Sequence, residues 1–156
     1  MLGAGKAAAR MAATLVAHHN AHRLGPLGGA VVTPYGHGLK PGEQAEGIAI
    51  LEAGHPVPDA ASLAAGSRIL KLARDCQPAD RCVVLLSGGA SALLVQPATG
   101  VILADKQHLT RSLLASGASI AEINTVRRKL SSIKGGGLAR QIRANDILLL
   151  AISDVP

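Results

Sequence analysis

Four short runs along the chain are apolar at nearly every position, without the alternation of a half-exposed strand. They are the segments 30–33 (AVVT), 47–51 (GIAIL), 82–86 (CVVLL) and 146–152 (DILLLAI). Apolar residues recur at helical spacing between them, in the segments 6–19, 62–74, 104–116 and 120–130 and in a shorter helix that ends at residue 143. Strands that are apolar throughout and alternate with helices are typical of a parallel sheet covered on both faces. The pattern predicts a three-layer α/β/α fold with a mostly parallel sheet.

Both ends of the chain lack an element that such a sheet normally has. Only residues 1–5 (MLGAG) precede the first helix, where a buried strand is expected, and no helix follows the strand at 146–152. We therefore expect the sheet to be truncated at both ends, with its first strand absent. Residues 1–156 are interpreted as one partial domain, and its exposed apolar edges predict poor solubility or association with another chain.

The composition excludes several classes of protein. An apolar content of 48% suffices for a folded core, which is aliphatic because the chain has one tyrosine and no phenylalanine or tryptophan. The formal charge is +6, but most basic residues are spread along the chain and aromatic platforms for bases are absent. No nucleic-acid ligand is therefore expected.

The location in the cell is predicted from what the chain lacks and from its cysteines. No apolar run approaches the length of a membrane span, and no leader sequence opens the chain, so no membrane contact is expected. Cys76 and Cys82 have five residues between them, which is neither a zinc spacing nor a redox spacing. We interpret them as free thiols in a reducing cytosol and expect a cytoplasmic protein.

The most informative segment is 83–94 (VVLLSGGASALL), in which a strand runs into Ser87, Gly88 and Gly89 and then into a segment able to form a helix. This order places backbone N–H groups at the carboxyl end of a strand, the usual ligand position in open α/β sheets. One interpretation is an anionic ligand, in the first place a phosphate. The other is a tight turn without a ligand, which is favoured for the motif taken alone.

The segment 3–8 (GAGKAA) nearly matches the dinucleotide-binding fingerprint, but the acidic residue expected about 20 positions later is absent. It also lacks the spacing of a Walker A loop. Lys6 at the start of a helix opposes the helix dipole unless an anion lies there. Lys6 therefore either contacts a phosphate or is simply solvated, and the sequence favours neither.

The loop 52–59 (EAGHPVPD) concentrates titratable side chains between prolines that stiffen it. Such stiffness is useful where side chains hold a substrate, which makes His55 a candidate for substrate binding. A surface turn is the alternative, and for Asp59 the favoured role is to cap the following helix. His37 in the segment 35–38 (YGHG) has the same two interpretations.

The segment 123–137 (INTVRRKLSSIKGGG) combines an amide, two guanidinium groups and a glycine-rich turn. Asn124 lies three residues before Arg127 and four before Arg128, so at least one arginine shares a helix face with the amide. A guanidinium group suits a carboxylate or a phosphate, and Lys134 with its glycines could bring further donors to the same anion. A solvated basic helix face is the alternative.

Asp154 lies just beyond the last predicted strand. There a carboxylate can bind Mg²⁺ or accept the proton of an attacking hydroxyl group. The alternative is a cap for a following helix that this chain lacks.

Six motifs occur in one order along essentially the whole chain: GAGKA, TPYGHG, EAGHPVPD, LLSGGASALL, EINTVRRKLSSIKGGGLA and ISDVP. This set closely resembles the ATP-dependent glycerate 2-kinase family, whose members are also labelled hydroxypyruvate reductases. The resemblance implies two α/β domains, the N-terminal one Rossmann-like, and transfer of the γ-phosphate of ATP to D-glycerate with Mg²⁺, giving 2-phosphoglycerate. It also implies catalytic roles for Lys6, Arg127 and Asp154, with Asp154 at the metal. The residues implied to bind phosphate or substrate are Ser87, Gly88, Gly89, Ser91, Asn124 and Lys134.

The chain departs from this family in two residues and in length. Ala90 stands where a third glycine is common, and Gly137 where an arginine is frequent. Family members also begin ahead of GAGKA and continue past SDVP into a further domain, so the C-terminal domain is expected to be absent and the remainder of the enzyme to be the missing partner. An active site without part of its walls loses positioning and charge neutralisation. Two alternatives stay open: an NAD(P)-dependent hydroxypyruvate reductase, which the missing ribose-binding acid disfavours, and a non-catalytic, anion-binding remnant.

Overall fold

A computed structural model describes residues 1–153 of the chain, apart from the side chain of Ile120. In this part of the chain, strands and helices alternate as the apolar pattern predicts. In chain order the elements are β1 (Leu2–Ala4), α1 (Ala8–Ala21), β2 (Gly29–Pro34), β3 (Ile48–Ala53), α2 (Ala60–Asp75), β4 (Arg81–Leu86), α3 (Ala90–Leu93), α4 (Leu103–Ala115), α5 (Ile120–Lys129), a 3₁₀ turn (Ala139–Gln141) and β5 (Asp146–Ala151).

The five strands form one parallel sheet in the order β3-β2-β1-β4-β5. α1 lies on one face, where Val16 packs in a buried cluster with Val31. α2 lies on the opposite face, where Ile69 packs with Val32 in a second buried cluster. Side chains of β2 thus point alternately into the two clusters, as the period of a strand requires. The predicted three-layer α/β/α fold is confirmed.

The expectation that the first strand is absent is wrong, because Leu2–Ala4 forms β1 at the centre of the sheet. Leu2 lies opposite Ala30 on one side and opposite Val84 on the other. Three residues suffice because a parallel strand on each side supplies hydrogen-bond partners. A pattern that requires several consecutive large apolar residues does not detect a strand with Gly3 at its middle. Glycine is needed there because a Cβ atom would lie 2.8 Å from Val31 Cγ1.

β5 forms an edge of the sheet and exposes apolar side chains on both faces. It pairs with β4 in register from Arg81 opposite Asp146 to Leu86 opposite Ala151. Leu149 is nevertheless 55% exposed, and the other residues of β5 are exposed as well. Within residues 1–153, β5 is thus uncovered on both faces.

Two expectations about the whole chain can be compared with the structure. Within residues 1–153, no helix is both long and apolar enough to cross a membrane. Cys76, at the end of α2, and Cys82, in β4, are free thiols as predicted. Burial raises the pKa of the Cys82 thiol to about 11, which keeps it protonated and unreactive near neutral pH.

Candidate functional site

The candidate site lies at the carboxyl edge of the sheet, where the loops that follow β1 and β4 meet. These two central strands are neighbours, but the chain continues from them towards opposite edges of the sheet. Such a change of direction opens a crevice beyond the strand ends, which is where open α/β sheets bind their ligands. The segments GAGKA and SGGAS both lie at this point.

The two segments are joined by backbone and side-chain hydrogen bonds. The Lys6 N–H donates to Gly88 O at 2.8 Å, the Ala7 N–H to Ser87 Oγ at 3.0 Å, and the Ser87 N–H to Ala4 O at 3.1 Å. Gly5 makes this approach possible, because it has a φ of +133° and a Cβ atom on it would lie 2.2 Å from Ser87 Oγ. The Ser87 hydroxyl is therefore already used as an acceptor for the start of α1.

We call Ser87–Gly88–Gly89 the glycine turn. The N–H groups of Gly88 and Gly89 donate no hydrogen bond within residues 1–153. Gly89 has a φ of +86°, and a Cβ atom there would lie 3.0 Å from His55 Nε2 and 3.5 Å from Lys6 Cγ. The structure thus brings two predicted side chains, Lys6 and His55, to the turn whose amides are available. Backbone donors beside an exposed ammonium group are suited to a phosphate.

The loop after β3 carries His55 on this edge and begins α2 with a capped turn. Asp59 accepts from the Ser62 N–H at 2.9 Å, and the Asp59 N–H donates to Ser62 Oγ at 3.1 Å. Tyr35 OH also donates to Asp59 at 2.7 Å. Burial opposes ionisation of Asp59, but the hydrogen bonds from Tyr35 and Ser62 outweigh it and hold the pKa below its usual value. Asp59 is the helix cap that its sequence context favours.

The electrostatics around His55 are those of a site for a negatively charged group. The pKa of His55 is lowered, first by partial burial and then by the charges of Lys6, Arg127 and His37. A histidine with a carboxylate partner would be shifted in the opposite direction. His55 is therefore mostly neutral near pH 7, because the charges of Lys6 and Arg127 add to its partial burial in opposing protonation.

A second group of cations lies beyond the glycine turn, in what we call the cationic pocket. Lys106 of α4, Arg127 of α5 and Lys134 converge there. The pocket is lined by Pro58, Ser91, Val95, Lys106, Leu109, Thr110, Arg127, Leu130 and Lys134. Lys134 Nζ donates to Ser91 O at 2.7 Å, which links this pocket to the segment that follows the glycine turn.

Each cation of the cationic pocket has a lowered pKa. Burial lowers the pKa of Arg127, and burial together with the charge of Arg127 lowers that of Lys106. Burial, then the charges of Arg127 and Lys106, lower the pKa of Lys134 to about 7. The ion pairs formed within residues 1–153 involve other residues, so no described carboxylate compensates these charges.

The remaining predicted residues differ in where they lie relative to the glycine turn and the cationic pocket. Asn124 is exposed on α5 and does not line the cationic pocket. Arg128 is also exposed, and its Cδ would lie 3.0 Å from a Cβ atom on Gly135. Ser91 lies between the two groups, because it follows the glycine turn and lines the cationic pocket. Asp154 lies outside the described residues. The binding and catalytic roles of all these residues stay predictions.

Two side chains near this edge of the sheet, Lys106 and His37, were missed or left undecided from the sequence. Lys106 is only 7% exposed and lies one turn before the buried Thr110 on α4. This polar pair at a spacing of four residues on the buried face was the available signal. His37 lines an open groove of about 630 Å³ beside Lys6, Arg10 and Glu52. A groove of that size is in the range of small-molecule sites.

All of residues 1–156 match the family model described as "Domain of unknown function (DUF4147)". The chain is 49% identical over 156 residues to an Agrobacterium vitis protein named "Putative hydroxypyruvate reductase", covering 100% of this chain and 39% of that protein. It is 46% identical over 127 residues to the D-glycerate 2-kinase of Thermotoga maritima, covering 81% of this chain and 30% of that enzyme. The chain thus spans well under half the length of these relatives.

Solved structures give the same result for the fold. A crystal structure of a glycerate kinase from Thermotoga maritima matches 99% of this chain and 36% of its own, with a TM-score of 0.83 and 42% identity. A structure of a protein from Pyrococcus horikoshii OT3 matches 99% of this chain and 34% of its own, with a TM-score of 0.79 and 36% identity. The chain belongs to the DUF4147 family, and its resemblance to the glycerate 2-kinases is confirmed.

Proposed function

We propose that residues 1–156 form part of the N-terminal domain of a cytoplasmic glycerate 2-kinase. The proposed reaction transfers the γ-phosphate of ATP to D-glycerate and gives 2-phosphoglycerate. The available amides of Gly88 and Gly89 beside Lys6 are the observation that carries this proposal. The identity of 46% to the Thermotoga maritima D-glycerate 2-kinase supports the choice of reaction.

The glycine turn is suited to the phosphate chain of ATP. Phosphoryl transfer depends mainly on positioning the transferred group and on neutralising charge in its transition state. In the proposed site, the amides of Gly88 and Gly89 fix phosphate oxygens and the Lys6 ammonium group neutralises the charge that develops on them. His55, which lies beside Gly89, holds a phosphate or the substrate as a neutral group near pH 7.

The remaining roles belong to the other segments of the same edge. We propose that Arg127 neutralises the transferred group or the substrate carboxylate, and that Lys134, Ser91 and Asn124 bind anionic oxygens. Asp154 is proposed to accept the proton of the attacking glycerate hydroxyl. The proposed partner for this chain is the remainder of the enzyme, which would close the site from the other side.

Mg²⁺ is part of the proposal, with Asp154 as its ligand. Within residues 1–153, no three His, Cys, Asp or Glu side chains are grouped so that they could hold a metal ion. Glu52 and Asp59 lie at the carboxyl edge of the sheet, as the candidate site does. Glu52, however, accepts a hydrogen bond from the Gly38 N–H at 3.0 Å, and Asp59 caps α2. The described side chains therefore do not form a magnesium site by themselves.

The direct test is glycerate-dependent release of ADP from ATP by the purified, folded chain, with ³¹P NMR to identify 2-phosphoglycerate as the product. Lys6→Met removes the charge beside the glycine turn and is expected to lower kcat/KM by about 100-fold or more. Lys71→Met is the matched control, since Lys71 is exposed on α2 and paired with Asp75. Folded protein that releases no ADP would rule out catalysis by this chain.

A reductase is the second candidate, because two Agrobacterium vitis relatives carry the name "Putative hydroxypyruvate reductase". Dinucleotide-binding folds carry a ribose-binding acid at the end of the second strand, where this chain has Thr33 and Pro34. Loss of NADH absorbance with hydroxypyruvate would favour the reductase. ATP binding with neither reaction would favour a non-catalytic, anion-binding remnant.

A further inference from the structure

The three basic side chains of the cationic pocket indicate that its ligand is an anion. It draws Lys106 from α4, Arg127 from α5 and Lys134 from the following loop into one place. Lys106 is only 7% exposed. Like charges at short range in a partly dry environment repel one another, and such an arrangement is stabilised when an anion binds between them.

The hydrogen bonds within the cationic pocket leave donors available. Lys106 Nζ donates to Leu130 O at 3.0 Å and Lys134 Nζ to Ser91 O at 2.7 Å. Each is the one hydrogen bond formed by that ammonium group within residues 1–153, and an ammonium group has three donors. Fixed to carbonyl oxygens, the two ammonium groups are held at the pocket rather than extended into solvent.

The small size of the cationic pocket limits which part of an anion can enter it. Its free space is about 10 Å³, room for roughly one water-sized atom, so one oxygen of an anion can lie among the cations while the rest of the anion lies outside. A carboxylate group is flat and presents two oxygens, and it suits a guanidinium fork. A phosphate chain is larger and is better placed at the glycine turn, because Lys6, which lies beside Gly89, also lines an open groove of about 630 Å³.

We propose that Lys106, Arg127 and Lys134 together bind the carboxylate group of the hydroxy-acid substrate, and that Lys106 is a specificity-determining residue of this subsite. This proposal rests on the proposed kinase function and divides the site into two parts. The glycine turn takes phosphate, and the cationic pocket takes the carboxylate. Burial and the charge of Arg127 lower the pKa of both lysines, and a carboxylate bound beside them would oppose this shift.

The test measures the pKa of Lys134 in the full chain, labelled with ¹³C-lysine, from the pH dependence of its Cε resonance. D-glycerate is expected to raise this pKa by about one unit or more, because a bound carboxylate favours the ammonium form. Glycerol, which lacks the carboxylate, is expected to leave it unchanged. An equal rise with glycerol, or no rise with saturating D-glycerate, would overturn the proposal. Inorganic phosphate that raised it as strongly as D-glycerate would overturn the choice of a carboxylate.

Lys106→Met tests the residue that the proposal adds. It is expected to weaken D-glycerate binding by about tenfold or more and to leave the response of the Gly88 and Gly89 amides to ATP unchanged. Lys129→Met removes the same charge from an exposed position of α5 and is expected to change D-glycerate binding by less than about twofold. Equal effects of the two variants would overturn the role of Lys106. If Lys106→Met fails to fold, Lys106→Gln and the Lys134 titration of the unmodified chain decide the question.

A parallel titration with ATP distinguishes failure of this proposal from failure of the proposed kinase function. ATP that perturbs the Gly88 and Gly89 amides while D-glycerate leaves Lys134 unchanged would overturn the carboxylate subsite and leave the kinase standing. D-glycerate that raises the pKa of Lys134 in a chain that does not bind ATP would support the subsite and contradict the kinase.

Discussion

The glycine turn and the cationic pocket lie at one edge of the sheet but are built in opposite ways. The glycine turn offers backbone N–H groups, and its shape is fixed by bonds to the neighbouring turn at Gly5–Ala7. The cationic pocket offers charged side chains from α4, α5 and the loop after α5. The first is held by hydrogen bonds between two strand-end turns 80 residues apart in sequence, whereas the second is formed by side chains that three segments between residues 106 and 134 bring together.

This difference determines how each part responds to its surroundings. Backbone amides do not titrate, so the glycine turn keeps its donors at any pH at which the chain is folded. Lys134, with a pKa of about 7, gains and loses its charge within the physiological range. Binding of phosphate and of carboxylate is therefore expected to depend differently on pH.

The largest expected effect comes from Gly5→Ala, which acts on the glycine turn. A Cβ atom there would lie 2.2 Å from Ser87 Oγ, and the positive φ is strained for alanine. We expect the free energy of unfolding to fall by about 2–4 kcal/mol and ATP binding to be lost, because the turn must move. Urea denaturation and ATP titration measure the two effects.

Gly36→Ala is the matched control, since Gly36 has a φ of +73° with no heavy atom within 4 Å of a Cβ atom. It is expected to cost about 1 kcal/mol from backbone strain alone. Equal losses of unfolding free energy for the two variants would mean that the close contact between Gly5 and Ser87 does not determine the effect of Gly5→Ala.

A change of pH is expected to have an intermediate effect, because it changes the charge of Lys134 in the cationic pocket. Because Lys134 loses its proton above about pH 7, affinity for D-glycerate is expected to fall above that value, by about tenfold in total if binding raises the pKa of Lys134 by about one unit. Lys134→Met is expected to bind D-glycerate weakly and to remove this slope. ATP binding between pH 7.5 and 9 serves as the comparison. A slope of the same size for ATP would contradict the assignment of separate anions to the two parts.

The same pKa predicts the sign of a change in stability. The pKa of Lys134 is lowered in the folded state to about 7 from its ordinary 10.5, so the unfolded chain binds more protons between these values. Stability therefore rises with pH in this window, with a slope approaching about 1.4 kcal/mol per pH unit for this one group. Urea unfolding at pH 7.5 and 9.5, compared with Lys134→Met, isolates the contribution.

The smallest effect is expected from Ser87→Ala, which tests whether that hydroxyl contacts the phosphate directly. Loss of the acceptor for the Ala7 N–H is expected to cost about 1 kcal/mol of unfolding free energy. ATP affinity is expected to fall by less than about fivefold, since the amides of Gly88 and Gly89 stay in place. Ser112→Ala, at an exposed position of α4, is the control. A tenfold loss of ATP affinity would mean that Ser87 contacts the phosphate directly.

The sequence predicted most of the fold because apolar strands and amphipathic helices are local patterns. It identified β2, β3, β4 and β5 and the longer helices. It missed β1, because three residues between two neighbouring strands are stabilised by pairing rather than by their own composition. The two hydrogen-bonded sides of β1 cannot be deduced from Leu2–Ala4 alone.

The site was predicted to different extents in its two parts. Ser87, Gly88, Gly89 and Lys6 belong to motifs whose order is visible in the sequence, and the structure brings them together. Asp59 is also the cap that the following helix predicts. Lys106 was missed because its spacing of four residues from Thr110 indicates a shared helix face but does not by itself indicate an anion site.

The sequence by itself determined the parallel sheet, the glycine turn after β4 and the resemblance to the glycerate 2-kinases, because each follows from neighbouring residues or from their order. Only the tertiary structure decided that Leu2–Ala4 is a central strand and that Lys106 joins Arg127 and Lys134 in one pocket. Strand pairing joins Leu2 to Val84, and packing of separate elements brings Lys106 to the other two cations; the energies of both come from packing and burial rather than from local preference.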